Sequence, residues 1–123
     1  MASEYIMLEG NSNVVLCERG ITSFENATRY TLDLNAIAVI KRFSHLPVIV
    51  DPSHAAGDWR YVASAALGAV AAGADGIMVE VHPDPASALS DGPQSLRPEK
   101  FQELMDSVAR VAAAVGRRVA RPE

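Results

Sequence analysis

The sequence holds one cysteine (Cys17), one tryptophan and only 6% aromatic residues. A single cysteine excludes an internal disulfide framework and any Cys-x-x-Cys motif, and points to a reducing compartment, the cytoplasm. No apolar run approaches the roughly 18 residues of a membrane span. Met1-Ala2-Ser3-Glu4 puts no basic segment ahead of an apolar stretch, so no secretory leader is expected. Charge of one sign is also lacking: 11 Lys+Arg face 15 Asp+Glu, a formal net charge of −4, with acids and bases alternating along the chain. That leaves no basic face for nucleic acid. A small anionic substrate stays open, since it needs only one or two well-placed Arg or Lys. There is no glycine-rich nucleotide loop and no Gly-x-Ser-x-Gly elbow. Asn26-Ala27-Thr28 fits a glycosylation pattern, a chance match in a cytoplasmic chain. With 123 residues the chain suits one domain-sized segment without a second domain. It is half of the about 250 residues that a closed eight-stranded α/β barrel requires.

What is present is ordinary globular material, 49% hydrophobic and 21% charged. Three continuous apolar runs stand out: Val14-Val15-Leu16-Cys17, Pro47-Val48-Ile49-Val50 and Gly76-Ile77-Met78-Val79. Continuous β-branched runs read as strands buried on both faces of a parallel sheet, here near 13–18, 47–51 and 76–81. Helical patterns fill the intervals. Ile37, Ile40 and Phe43 mark one over 35–43. Val62, Ala65, Ala66, Ala69 and Val70 mark a second over 59–72. A third starts at Pro98, runs through Leu104, Val108 and Ala112, and stops at Gly116. Residues 2–8 read as the tail of another helix. Alternation at about 30 residues means consecutive βαβ units.

Each apolar run leads into polar residues at its C-terminal end: Glu18-Arg19-Gly20, then Asp51-Pro52-Ser53-His54, then Glu80-Val81-His82-Pro83. In α/β folds ligands bind at that end of a parallel sheet. Imidazole and carboxylate suit a divalent ion, which makes His54 and Glu80 the leading pair, with Asp91 able to fold back over the same strand ends. His82 competes with Glu80, because the two share one side of an extended strand. Arg19, followed by a glycine, can grip a phosphate, or it can pair on the surface with Glu18 or Glu25. Thr28 and Arg29 can add phosphate contacts, though a solvated Arg29 is the plainer role. Asp51 can orient His54 or cap the turn before Pro52. Cys17, with no partner at ligand spacing, reads as a small buried residue. Gly73-Ala74-Asp75-Gly76 reads as only a turn into the third strand.

Four stretches in order closely resemble 3-deoxy-D-arabino-heptulosonate 7-phosphate (DAHP) synthases of the compact bacterial and archaeal branch. They are Leu16-Cys17-Glu18-Arg19-Gly20, Leu46 to His54 (LPVIVDPSH), Glu80-Val81-His82-Pro83 and Leu89-Ser90-Asp91-Gly92. The resemblance runs from residue 2 to about 105. It implies a partial TIM barrel, the last three β/α units. It also implies condensation of phosphoenolpyruvate with erythrose 4-phosphate, the opening step of the shikimate pathway and aromatic amino acid biosynthesis. His54, Glu80 and Asp91 would be three ligands of a divalent ion (manganese, iron, zinc or cobalt). Arg19 and His54 would be the catalytic and phosphoenolpyruvate-binding residues. The full-length form would be a homo-oligomer.

Departures from the family pattern matter equally. The family's cysteine ligand lies in an early strand, and Cys17 matches a different position. The Lys-Pro-Arg-Thr-like stretch for the sugar phosphate has no counterpart here, so this chain alone is expected to be inactive. Smaller departures are Thr22, Ala38 and Arg97, where the family commonly has Arg, Pro and Thr. Two further readings follow from the same residues: a non-catalytic remnant serving as an assembly partner, and a segment of the neighbouring 3-deoxy-D-manno-octulosonate 8-phosphate synthases.

Overall fold

The computed structural model describes residues 2–120. The elements follow in the order α1 (Ala2–Leu8), β1 (Leu16–Glu18), α2 (Leu34–Phe43), β2 (Val48–Val50), α3 (Pro52–Ala56), α4 (Trp59–Ala71), β3 (Gly76–Ile77) and α5 (Pro98–Ala114). Two short 3-10 turns, Pro85–Ser87 and Gly92–Gln94, lie between β3 and α5. The three strands form one parallel sheet in the order β1-β2-β3. Leu16, Cys17 and Glu18 lie opposite Val48, Ile49 and Val50, and Ile49 and Val50 lie opposite Gly76 and Ile77.

The strands are shorter than the apolar runs that announce them. β1 and β3 each pair on one side only among the described residues, so their ladders end where β2 ends. Single bonds extend the register: Leu16 N–H donates to Pro47 O at 2.9 Å and Met78 N–H to Val50 O at 2.8 Å. A parallel bridge joins Val81 to Leu96 beyond β3.

Helices α2, α4 and α5 pack on one face of the sheet. Val48 and Val50 are fully buried with Ile37, Ala69 and Ala74. Val62, Ala66, Val70, Leu96, Leu104, Val108 and Ala112 form a second cluster between α4 and α5. The other face is open: Val15 is 51% and Met78 45% exposed. Side chains alternate along a strand, so Cys17 belongs to this open row rather than to the core. The expectation of a buried Cys17 is therefore wrong; the thiol is exposed. The continuous apolar runs are half-covered strands here, with helices on one side only.

Caps explain the helix starts. Asp33 accepts from Ala36 N–H at 3.1 Å and Asp58 from Arg60 N–H at 2.9 Å. Pro98 occupies the first turn of α5. At its far end Gly116 takes φ 74°, and Arg117 N–H closes onto Ala112 O at 2.8 Å. The one-turn helix α3 was not foreseen.

At the N-terminal end of the sheet, Asp75 does more than turn the chain. Its carboxylate accepts from Lys41 Nζ (2.7 and 2.9 Å), from Val48 N–H (2.8 Å) and from Arg117 Nη2 (2.7 Å). Burial alone would raise this carboxyl's pKa; the bonds from Lys41, Val48 and Arg117 outweigh it and hold it at about 2. One side chain thus ties α2, β2 and the end of α5 together. No helix among the described residues is long and apolar enough to cross a membrane.

Candidate metal centre

At the opposite, C-terminal end of the sheet the chain leaves β2 through Asp51. Its Oδ1 accepts from His54 N–H at 2.9 Å, which caps α3 and sets His54 one turn in. The carboxylate is completely buried. Its other oxygen lies 2.7 Å from His54 Nδ1 and 3.1 Å from Arg19 Nε. Both contacts miss the line of a straight hydrogen bond, so His54 Nδ1 and Arg19 Nε face this oxygen by proximity. The sequence left orienting His54 and capping the turn as alternatives; Asp51 does both. With Nδ1 turned towards Asp51, Nε2 faces outward.

There it meets two carboxylates. His54 Nε2 is 3.9 Å from Glu80 Oε1 and 3.5 Å from Asp91 Oδ2. One ligand atom from each of the three residues lies within 4.8 Å of the others. Ligands at about 2.1 Å around one ion sit roughly 3.0–3.5 Å apart at octahedral or tetrahedral angles. The group is slightly more open than that, and a small inward movement fits one divalent ion. An imidazole and two carboxylates form a donor set suited to borderline and hard cations. His82 is not part of it: its Nδ1 accepts from Asp84 N–H at 3.0 Å and serves the loop.

Each member of this group is held by bonds that the motifs did not disclose. Glu80 N–H donates to Oγ of the buried Ser53 at 3.0 Å, joining the end of β3 to α3. Glu80 O accepts from Leu96 N–H at 2.9 Å, which anchors the far side of the Asp91 turn. Asp91 is left-handed at φ 55°, ψ 22°. It is the sole non-glycine at positive φ among the described residues. Ser95 Oγ donates to its carbonyl at 2.9 Å. Gly92 follows because a Cβ there would collide with the Pro85 carbonyl oxygen.

The end of β1 completes the site. Glu18 Oε1 accepts from Gly20 N–H at 2.8 Å and from Asp33 N–H at 3.4 Å, so it shapes the loop instead of pairing with Arg19. Gly20 takes φ 90°, and a side chain there would meet Tyr30 Cβ at 2.7 Å. Arg19 rests on Asp51 with its side chain 54% exposed, a cation at the mouth of the metal group. Cys17 lies one row below. Partial desolvation, then the nearby Asp51 charge, push its thiol pKa up, so it is neither a ready thiolate ligand nor a nucleophile. Thr28 and Arg29 are spent on structure: Thr28 Oγ1 donates to Tyr30 O and Arg29 Nη1 to Gln94 Oε1.

Residues 1–115 match the DAHP synthetase I family. The chain belongs to that family. As a DAHP synthetase I member it is 50% identical over 119 residues to phospho-2-dehydro-3-deoxyheptonate aldolase of Thermotoga maritima, covering 97% of this chain and 35% of that protein. A solved truncated form of the Thermotoga maritima 3-deoxy-D-arabino-heptulosonate 7-phosphate synthase superposes with a TM-score of 0.94 at 50% identity, over 97% of this chain and 45% of that one. The 2-dehydro-3-deoxyphosphooctonate aldolase of Desulfotalea psychrophila is 33% identical over 117 residues, 86% of this chain and 41% of that protein. The chain spans about a third to two fifths of the curated relatives it matches. The α/β architecture with a three-stranded parallel sheet is that of the matching DAHP synthase segment.

Proposed function

We propose that residues 1–123 are one segment of a (β/α)8 barrel, its last three β/α units, and that the segment supplies part of the active site of a DAHP synthase. The complete enzyme would condense phosphoenolpyruvate with erythrose 4-phosphate and release inorganic phosphate. The observation that carries this reading is the convergence of His54, Glu80 and Asp91 from two neighbouring strand-end loops onto one point, with Arg19 beside it. The higher identity to the heptonate relative, 50% against 33%, favours a heptulosonate over an octulosonate product.

His54 Nε2, Glu80 and Asp91 would hold the ion (manganese, iron, zinc or cobalt). When bound, the ion supplies a Lewis acid for the aldehyde. The remaining work falls to the chain. Asp51 presents the imidazole with its Nδ1 side turned inward and Nε2 free for coordination. Without an ion, three carboxylates face one guanidinium, and a phosphorylated substrate would be repelled. With two of those charges offset at the occupied site, Arg19 would act as the local cation, poised for a phosphate oxygen of phosphoenolpyruvate. Homo-oligomerisation belongs to the complete enzyme.

A graft tests this reading. The 123 residues replace their counterpart in the Thermotoga maritima enzyme, and DAHP formation is measured with each substrate pair. Turnover with erythrose 4-phosphate that disappears in Arg19→Met and His54→Ala is the expected result. The isolated chain should form no detectable DAHP. A graft that folds and binds metal but never turns over would favour the non-catalytic assembly partner instead.

A further inference from the structure

Asp91 has to hold an unfavourable backbone conformation and still keep Oδ2 within 3.5 Å of His54 Nε2. Its own turn supplies bonds to Ser95 Oγ and to Gln94 N–H, the latter at a long 3.3 Å. The turn is tied a second time, through a side chain. Gln94 is 97% buried by its 3% exposure, yet its amide Nε2 has no partner, so packing and one bond at Oε1 hold it. That bond comes from Arg29 Nη1 at 3.4 Å.

Arg29 is itself fastened to the element that carries His54. Its N–H donates to Ala56 O at 3.2 Å, and the next residue, Tyr30, donates to Ala55 O at 2.9 Å. Its Cβ lies against Gly57, where an added Cβ would sit 2.7 Å away. The guanidinium carbon rests 5.3 Å from the Tyr30 ring centroid, which limits its swing. A continuous path therefore runs from the helix of one metal-type ligand to the turn of the other.

We propose that Arg29 and Gln94 are positioning residues that set the separation of His54 and Asp91 and so the affinity for a divalent ion; this rests on the metal-site reading above. The physical reason is the buried amide. With Arg29 removed, both ends of the Gln94 amide are buried without a partner, and the side chain gains by swinging out to water. Doing so unseats the turn that keeps Asp91 left-handed. Removing both polar groups takes away that incentive, because an apolar side chain prefers to stay in place.

The test is Co2+ titration of the isolated chain and of the graft, read by calorimetry and by the visible absorption of the bound ion. Arg29→Met should weaken binding about tenfold, the scale for losing an outer-shell support, and change the Co2+ spectrum. Adding Gln94→Leu should return most of the affinity and the parent spectrum. Arg60→Met, which removes an exposed partner of Asp58 with no tie to the turn, should leave binding unchanged. Parent-like binding by Arg29→Met would overturn the proposal. So would a loss that Gln94→Leu does not repair, or one matched by lost amide protection across β2, since either marks a merely structural role. A parent that binds no Co2+ in either protein would overturn the metal reading and this inference together.

Discussion

Asp75→Asn isolates how much the N-terminal end of the sheet contributes to stability. The native carboxyl is held at about 2 against an ordinary value of 3.8. Holding it that low corresponds to at most about 2.5 kcal/mol favouring the folded state. Its partners Lys41 and Arg117 are 39% and 41% exposed, so solvent screening brings the expected figure to about 1–2 kcal/mol. The pKa is lowered on folding. The contribution is therefore complete above about pH 4 and is lost as the pH falls through 2. Asn can still accept from Val48 N–H but offers no charge to Lys41 or Arg117. The variant should accordingly be less stable by about 1–2 kcal/mol at pH 6, and most of that gap should be gone by pH 2.

Amide exchange is the suitable assay, because it reads local opening without a two-state transition of the whole chain. Val48 N–H donates directly to Asp75, and Leu16 N–H and Met78 N–H report the flanking strands. Protection of Val48 should fall by roughly 5- to 30-fold in the variant at pH 6 and converge with the parent at low pH. Parallel protection curves for parent and variant between pH 6 and pH 2 would refute the reasoning. They would show that the ion pairs at this end are compensated by solvent, whatever their geometry.

Two further outcomes are expected. In the graft, His54→Ala, Glu80→Ala or Asp91→Ala should each cut metal occupancy heavily, while His82→Ala and Cys17→Ser leave it unchanged; metal analysis after dialysis measures this, and an empty site in Cys17→Ser would disprove the ligand assignment. The isolated chain should self-associate or show weak protection in β1 and β3, because among the described residues both strands have an unpaired edge beside an open apolar face; size-exclusion chromatography with amide exchange tests it, and a monodisperse monomer strongly protected in all three strands would contradict it.

The legible part of this chain was local. Strand-helix alternation, Pro98 and Gly116 as helix limits, and the polar residues after each apolar run could all be read because each rests on a few neighbouring residues. The proximity of His54 and Glu80 was legible for the same reason, since each stands a few residues past a strand; Asp91, fourteen residues beyond β3, joins them only through its turn, and the resemblance rather than spacing pointed to it. What could not be read depends on residues far apart in the chain. Asp75 meets Lys41 and Arg117 across 34 and 42 positions, and Arg29 meets Gln94 across 65. Nothing in a short tetrapeptide turn signals such partners. Cys17 failed for a different reason. A continuous apolar run shows that both strand faces want cover, not that both have it.

The two ends of the sheet divide their tasks by chemistry. At the C-terminal end, Asp51 Oδ1, Ser53 Oγ and Glu18 Oε1 accept from backbone N–H groups, and those bonds aim His54, Glu80 and Arg19 while leaving His54 Nε2 and the Glu80 carboxylate free. Removing one should change what the site binds before it changes whether the sheet forms. At the N-terminal end, Asp75 gathers two cations and one backbone amide, and none of these faces the metal group. Its loss should loosen the sheet and leave the ligand separation as it is. Metal affinity and β2 protection are therefore independent readouts of the two ends. Asp51→Asn should move the first more than the second, and Asp75→Asn the reverse. A variant at either end that moved both equally would mean the three strands transmit strain as one rigid body, and the division drawn from their contacts would fail.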